Sequence, residues 1–184
     1  MTTDRLFSAP FTRTDVAVRG TCVDVFQQEF DYLCRTLRRL GVRTADVEDV
    51  AHEVFLVLMR RWDDYDASRA LRPWLFGIAF RVVASHRRKS AREVPHAVVE
   101  PEDPRPKPEQ KVVSDEARAI VLEALERVPM ERRAVLIMHD LDDTSMHEIA
   151  SALSIPLFTG YSRLRKSRKE FEAAVRLIEK RGTR

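Results

Sequence analysis

Glycine is scarce in this 184-residue chain: there are five, at positions 20, 41, 77, 160 and 182, each standing alone. A dinucleotide fingerprint or a phosphate-cradling loop needs several glycines close together, so neither can be built here, and no serine sits in a G-x-S-x-G elbow. Cysteine is scarcer still. Cys22 and Cys34 cannot make a disulfide framework and are not spaced as a C-x-x-C pair, which suits a reducing compartment. His52, His86, His96, His139 and His147 show no zinc-ligand spacing, and neither His-Glu dipeptide is followed by a second histidine, so no metal and no cofactor are expected. Long apolar runs are missing as well: Val54 to Met59 and Ala134 to Met138 fall far short of the ~20 residues a bilayer crossing needs. The start, MTTDRLFSAPF, lacks a charged segment followed by an apolar one, which predicts a cytoplasmic protein. Carboxylate pairs such as Asp63 and Asp64 are adjacent loop residues with no nucleophile beside them, so an enzyme is not expected.

What the chain has is apolar content, 44% of residues, enough to bury cores. Its charge is uneven. Residues 1–92 carry 16 basic and 12 acidic side chains, residues 93–111 carry 3 and 5, and residues 112–184 carry 13 and 12. The middle piece, EVPHAVVEPEDPRPKPEQK, holds five of the nine prolines, which remove backbone donors and keep their predecessors extended. It reads as an acidic, semi-extended linker.

Both flanking blocks read as helical. Val47, Val50, Ala51, Val54, Phe55, Leu58 and Trp62 recur at three- and four-residue intervals, an amphipathic helix with Asp46, Glu48 and Asp49 in its first turns, where the helix dipole favours negative charge. An earlier helix, roughly Cys22 to Leu40, ends at Gly41, a plausible left-handed terminator. A third follows Pro73, with Trp74, Leu75, Ile78, Ala79, Val82 and Val83 buried and a basic end at His86 to Lys89. Downstream, the spacing predicts helices over Val112 to Val128 and from Pro129 to about His139. Ser145 and Glu148 form an S-x-x-E capping box before Ile149 and Leu153, and another helix begins at Pro156. No segment alternates with period two. The expected fold is all-α: two small helical domains joined by a proline-rich linker, the second containing a helix-turn-helix.

Three constellations bear on function. The helix pair Ser145 to Leu153 and Pro156 to Phe171 has helix-turn-helix dimensions, and its second member carries Arg163, Arg165, Lys166, Arg168 and Lys169 with no acid until Glu170. Basic helix ends are common as solvated faces, but on the second helix of such a pair they stand where groove-facing side chains belong. In positions 62–90, Trp62, Tyr65, Trp74, Phe76 and Phe80 are interleaved with Arg69, Arg72, Arg81, Arg87, Arg88 and Lys89, as single-stranded nucleic acid requires; both tryptophans, however, lie on apolar stripes and read as core. The acidic edge of DVEDVAHEVF, positions 46–55, is either solvated or a match for a basic protein surface.

The ordered combination of EDVAHEVFLVLMRRWDDYDASRALRPWLFGIA, a proline linker, LERVPMERRAVLIMHDLDDTSMHEIASALSIP and a basic helix resembles the extracytoplasmic-function (ECF) class of bacterial sigma factors over roughly residues 22–178. The resemblance implies a subunit that joins core RNA polymerase and directs it to promoter DNA, with an anti-sigma protein as a further candidate partner. It implies an N-terminal tail at 1–20, region 2 at 21–92, the linker at 93–111 and region 4 at 112–184. Core polymerase contacts would come from Asp46, Asp49, His52 and Glu53. Minus-ten contacts would come from Tyr65, Arg69, Arg72, Arg81, Ser85 and Arg88, in a block that captures a base flipped from the stack, a step costing a few kcal/mol. Minus-thirty-five contacts would come from Thr159, Tyr161, Ser162, Arg163, Arg165 and Lys166, with the linker in the polymerase's RNA path. The chain departs from the family's usual residues at His52, Arg81, Ser85, Ser154, Phe158, Gly160 and Tyr161. A left-handed Ser154 would cost on the order of 1 kcal/mol, and an interior Gly160 about 1 kcal/mol relative to alanine.

Two other readings compete: a sigma-like interaction protein with weakened DNA reading, and a helix-turn-helix regulator acting alone. The residues leave open whether the two blocks are splayed on the linker or clasped together.

Overall fold

A computed structural model describes residues 21–93 and 109–182 of the chain. The tail at 1–20 and most of the proline-rich linker lie outside the described residues. Every regular element described is helical: α1 (Cys22–Arg39), α2 (Val47–Arg60), α3 (Leu71–Glu93), α4 (Glu109–Glu126), α5 (Met130–Leu136), α6 (Met146–Leu153) and α7 (Leu157–Gly182), with short 3-10 turns before and after α2 and a wide π turn over Ile137–Leu141.

Local chemistry sets the helix ends. Thr21 and Asp24 close a capping box at the start of α1: the Thr21 backbone N–H donates to the Asp24 carboxylate at 2.8 Å and the Asp24 N–H donates to the Thr21 hydroxyl at 3.3 Å. At its other end Gly41 is left-handed, φ +89°, and its N–H and that of Val42 donate to the carbonyls of Arg38 and Leu37. Ser145 and Glu148 form the expected capping box of α6. Ser154, which ends α6, is left-handed at φ 54°, so the strain that the sequence attached to a missing glycine is present.

Two boundaries differ from the sequence expectation. α3 begins at Leu71 and takes Pro73 into its first turn, where a proline's missing N–H has no intrahelical partner to lose. α4 begins at Glu109, directly after Pro108, within the stretch read as linker. α7 runs to Gly182, well past the helix-turn-helix portion that was bounded at Phe171, and Ala174 and Ile178 are buried beside Ala124, with Ile120 of α4 packed against them.

The two blocks share one core. Leu33 and Leu37 of α1, Val54 and Leu58 of α2 and Phe76 and Ala79 of α3 belong to the same buried cluster as Val135, Ile137 and Met138 around α5, Ile149 and Leu153 of α6 and Leu164 of α7. Burying a side chain such as Leu or Phe stabilises by about 1.5–3 kcal/mol, so contact of this kind between blocks is a substantial attraction. The described residues are clasped, not splayed.

Candidate functional site

The predicted acidic edge is real but not uniform. Asp49, His52 and Glu53 are exposed on the outer side of α2, next to exposed Leu56 and Met59. Asp46 instead precedes the helix and is gripped by Arg43, which donates to its carboxylate at 2.7 and 3.1 Å. Across α1 and α2 an apolar margin adjoins this edge: Val23 and Phe30 are exposed, and the Phe26 ring packs on Phe30 and Phe55 at centroid distances of 5.5 and 4.5 Å.

The expected minus-ten residues do not form one surface. Tyr65 is half-buried in an aromatic cluster with Trp62 and Trp74, centroids 5.6 and 4.9 Å away, and its hydroxyl donates to the Arg69 carbonyl at 2.8 Å. Burial, then the nearby Asp66 charge, pushes its phenol above the ordinary value. The two tryptophans pack against the core, as the apolar stripes implied. Arg72 turns back to α1, donating to Glu29 at 2.8 Å and lying 4.9 Å over the Tyr32 ring. Arg81 and Ser85 share a groove of about 270 Å³ with Glu53, Val57 and Arg61, which joins the minus-ten set to the acidic edge. Arg88 is exposed on the basic end of α3.

On the other block, Thr159, Ser162, Arg163 and Lys166 line a groove of about 500 Å³ between the start of α7 and Glu131 and Arg132 of α5. Tyr161 and Arg165 are exposed on the same helix. Phe158 also lines the groove and is 83% exposed; the residue pattern marked it as a departure but not as a site. Arg168 is different from its basic neighbours, donating to Asp140 at 2.6 and 2.8 Å. That hydrogen bond raises its already high pKa. Burial works to raise the Asp140 pKa, but the hydrogen bonds and charges of Arg168 and His139 prevail and hold it below the usual carboxylate range. Gly160 is buried, and a Cβ on it would stand 2.5 Å from the Met146 sulfur, so the interior glycine admits a long α6 side chain.

Three groups join the blocks, and two of them, Arg133 and Asp142, are absent from the expected sites. Arg133 is 2% exposed; its guanidinium donates to the carbonyls of Val128, Glu126 and, across the blocks, Leu40, at 3.1, 2.7 and 2.8 Å. Burial, followed by the Arg87 charge, pulls its pKa down to about 10. Asp142 accepts from the Tyr32 hydroxyl at 2.9 Å and Arg39 at 3.0 Å; burial outweighs these partners and raises its carboxyl pKa. Arg81 reaches α6, donating to the Ala152 carbonyl and the Ser154 hydroxyl, both at 3.0 Å. A helical wheel could have found Arg133, which sits on the apolar stripe between Met130 and Ile137; no local signal marks Asp142. Among the described residues, no three His, Cys, Asp or Glu side chains gather to hold a metal ion, and no helix is long and apolar enough to cross a membrane.

The arrangement offers an acidic and apolar face for a protein and a cationic helix-turn-helix for duplex DNA. Comparison with known proteins places both blocks. Residues 25–93 match the family described as Sigma-70 region 2, and residues 118–171 match Sigma-70, region 4. The chain is 26% identical over 151 residues to the ECF RNA polymerase sigma-E factor of Escherichia coli (strain K12), covering 76% of this chain and 79% of that protein. It is 28% identical over 149 residues to the RNA polymerase sigma factor NccH of Alcaligenes xylosoxydans xylosoxydans, covering 77% and 79%. In fold it is similar to CnrH, solved in complex with the cytosolic domain of CnrY, with a TM-score of 0.60, 20% identity and coverage of 85% and 88%. It is also similar to the sigma factor RpoE solved with the anti-sigma factor NepR from Bartonella quintana, with a TM-score of 0.60, 19% identity and coverage of 83% and 98%.

Proposed function

The chain belongs to the extracytoplasmic-function sigma factors, and from that premise we propose how its surfaces divide the work of joining core RNA polymerase and directing initiation at promoters. Residues 21–92 act as region 2, 93–111 as the linker and 112–184 as region 4, with 1–20 as a tail. Asp49, His52 and Glu53, flanked by Leu56 and Met59, form the polymerase-docking edge, in which Asp46 also orders the entry to α2 through Arg43. Arg69, Arg81, Ser85 and Arg88 contact the minus-ten element, while Tyr65 and Arg72 act mainly by shaping the loop that carries them. Thr159, Tyr161, Ser162, Arg163, Arg165 and Lys166 read the minus-thirty-five element in the major groove.

The observation that carries this reading is the pairing of an acidic, apolar-edged α2 with a cationic groove on the second helix of a helix-turn-helix, in family order. Sigma factors regulate transcription and are not enzymes as a class, and we extend both that and a cytoplasmic location to this chain. The exposed apolar margin of Val23, Phe30, Leu56 and Met59 supports an anti-sigma protein as a further partner.

The test is run-off transcription with purified core polymerase on genomic fragments, with start sites mapped. Specific start sites are expected; absence of core binding at moderate salt overturns the proposal. A second reading, a sigma-like interaction protein that no longer reads DNA well, draws support from the engagement of Arg69 and Arg81 by α6. Core binding without specific initiation would favour it.

A further inference from the structure

We propose that Phe158, in the first turn of α7, reads a thymine of the minus-thirty-five element through its C5-methyl group, so that an apolar contact fixes a base pair that the polar side chains of the helix leave undetermined. The proposal deepens the reading of α7 as the groove-facing helix and rests on it.

The buried stripe of α7 decides which side chains face outward. Gly160, Leu164 and Ser167 lie along that stripe, with Gly160 so close to α6 that an added Cβ would stand 2.5 Å from the Met146 sulfur. The Ser167 hydroxyl turns inward and donates to the Leu164 carbonyl at 2.9 Å. Phe158 precedes Gly160 by two residues, roughly 200° around the helix, and is 83% exposed. Tyr161, three residues on and on the same face, is 54% exposed. Single exposed apolar side chains are ordinary on any protein. Phe158 is set apart by its company, because it lines one groove with Thr159, Ser162, Arg163 and Lys166.

The polar side chains of this helix cannot specify every base pair. From Leu157 to Lys169 there is no Asn, Gln, Asp or Glu, so α7 has no amide to pair with adenine N6 and N7 and no carboxylate to accept from cytosine N4. Arg163, Arg165 and Lys166 suit guanine O6 and N7, or phosphate. Two nearby cations are committed within the fold: Arg132 donates to Glu170 at 2.9 and 2.7 Å, and Arg168 donates to Asp140. The hydroxyls of Thr159 and Ser162 discriminate poorly, since they can bond to either kind of base edge. With no amide on the helix, the mark of an A·T pair that remains in the major groove is the thymine methyl. An exposed benzyl ring is a group that can cover it. The cations around that ring draw in phosphates, which makes duplex DNA, and not an apolar protein surface, its occupant.

The test is a selection from duplexes with a randomised core, prepared as one pool with thymine and one with deoxyuridine, which pairs identically and lacks only the methyl. Each pool is offered to the full chain alone and to the full chain on core polymerase. From the thymine pool the parent should enrich a motif with thymine at a fixed position, and from the deoxyuridine pool the same motif should lose definition there. On the enriched duplex, exchanging that thymine for deoxyuridine should weaken binding about fourfold by fluorescence anisotropy, the ratio that one buried methyl group corresponds to. Phe158→Ala should bind the two duplexes alike and Phe158→Leu should keep part of the preference. Neither should change the slope of log affinity against log salt, because no phosphate contact is removed. Circular dichroism should match the parent, since the side chain is exposed. Equal binding of both duplexes by the parent overturns the proposal, as does a preference that survives Phe158→Ala. Phe158→Ala that weakens union with core polymerase while the thymine preference stays also overturns it, by making the ring a protein contact. Enrichment of no motif in either arm overturns it too. Failure to bind core polymerase is read separately and overturns the functional reading, while the arm without polymerase still decides the methyl contact.

Discussion

Replacing Arg133 by methionine tests the clasp where its energetics are most exposed. Arg133 is 2% exposed and its guanidinium rests on three backbone carbonyls, those of Val128, Glu126 and Leu40. Its pKa falls from the usual guanidinium range to about 10, first through burial. At 1.36 kcal/mol per pKa unit, holding the charge in this site costs roughly 3 kcal/mol. Three hydrogen bonds from a charged donor return about 1.5–3 kcal/mol each, so the site is net favourable by a few kcal/mol. Methionine has similar length and no donors. It removes the burial cost but strands three acceptors, and the expected loss is about 3–5 kcal/mol, the range for deleting one partner of a buried charged interaction. With a urea slope of about 2–3 kcal/mol per molar, the unfolding midpoint followed by circular dichroism should fall by roughly 1–2 M. Because the folded pKa lies below the unfolded value, the unfolded chain holds the proton more tightly. Relief of the cost, and rising stability, is confined to pH above about 10, so the loss should be the same at pH 7 and pH 8.5. A midpoint within about 0.3 M of the parent would refute the reasoning. The cross-block bond can be isolated with Gly41, where an added Cβ would stand 2.5 Å from an Arg133 nitrogen: Gly41→Ala should cost less in the methionine background than in the parent.

Asp49→Lys with Glu53→Lys should weaken association with core polymerase at least tenfold by fluorescence anisotropy at a stability cost of no more than about 1 kcal/mol, the helix-dipole contribution of the first-turn Asp49, since both side chains are exposed; unchanged affinity removes α2 from the docking surface. Arg163, Arg165 and Lys166 changed together to alanine should reduce the slope of log affinity against log salt by about 2.7 for duplex promoter DNA, at ~0.9 per phosphate contact. An unaltered slope would move the groove elsewhere. Arg168→Ala should lower the melting temperature instead, because it breaks the bidentate grip on Asp140. Asp140's contribution is present above the ordinary carboxylate pKa and lost as pH falls through its lowered folded value, so the variant should be less acid-sensitive than the parent in that window. Asp142 has the opposite sign: its raised pKa makes the folded chain the tighter proton binder, and stability declines as pH rises through the interval just above 3.8. Asp142→Asn should remove that slope from a pH series of urea midpoints.

These predictions divide along the same line that separates what the residues disclosed from what they hid. Helices exposed on one side write their burial into the chain every three or four residues, so α1, α2 and α6, the Ser145–Glu148 box and the cations of α7 were all legible in place. Pro108 reads as linker by composition, yet it stands directly before the first residue of α4, a place where a missing N–H is harmless. The apolar spacing of α7 carried as far as Ile178, but its partner was hidden, because Ala124 of α4 lies some fifty residues before Ala174. Contacts between the blocks leave no period at all. They leave local misfits: a glycine within α3, a cation on the apolar stripe of α5, a serine where a left-handed residue is required. Each misfit is unfavourable within its own element. Each is answered from the other block: Gly77 by the Ala152 carbonyl, Arg133 by the Leu40 carbonyl and Ser154 by Arg81. A sequence under selection for two independent bundles would have little reason to keep all three, whereas one whose blocks close on each other needs them, and the closed arrangement is the economical account of their presence.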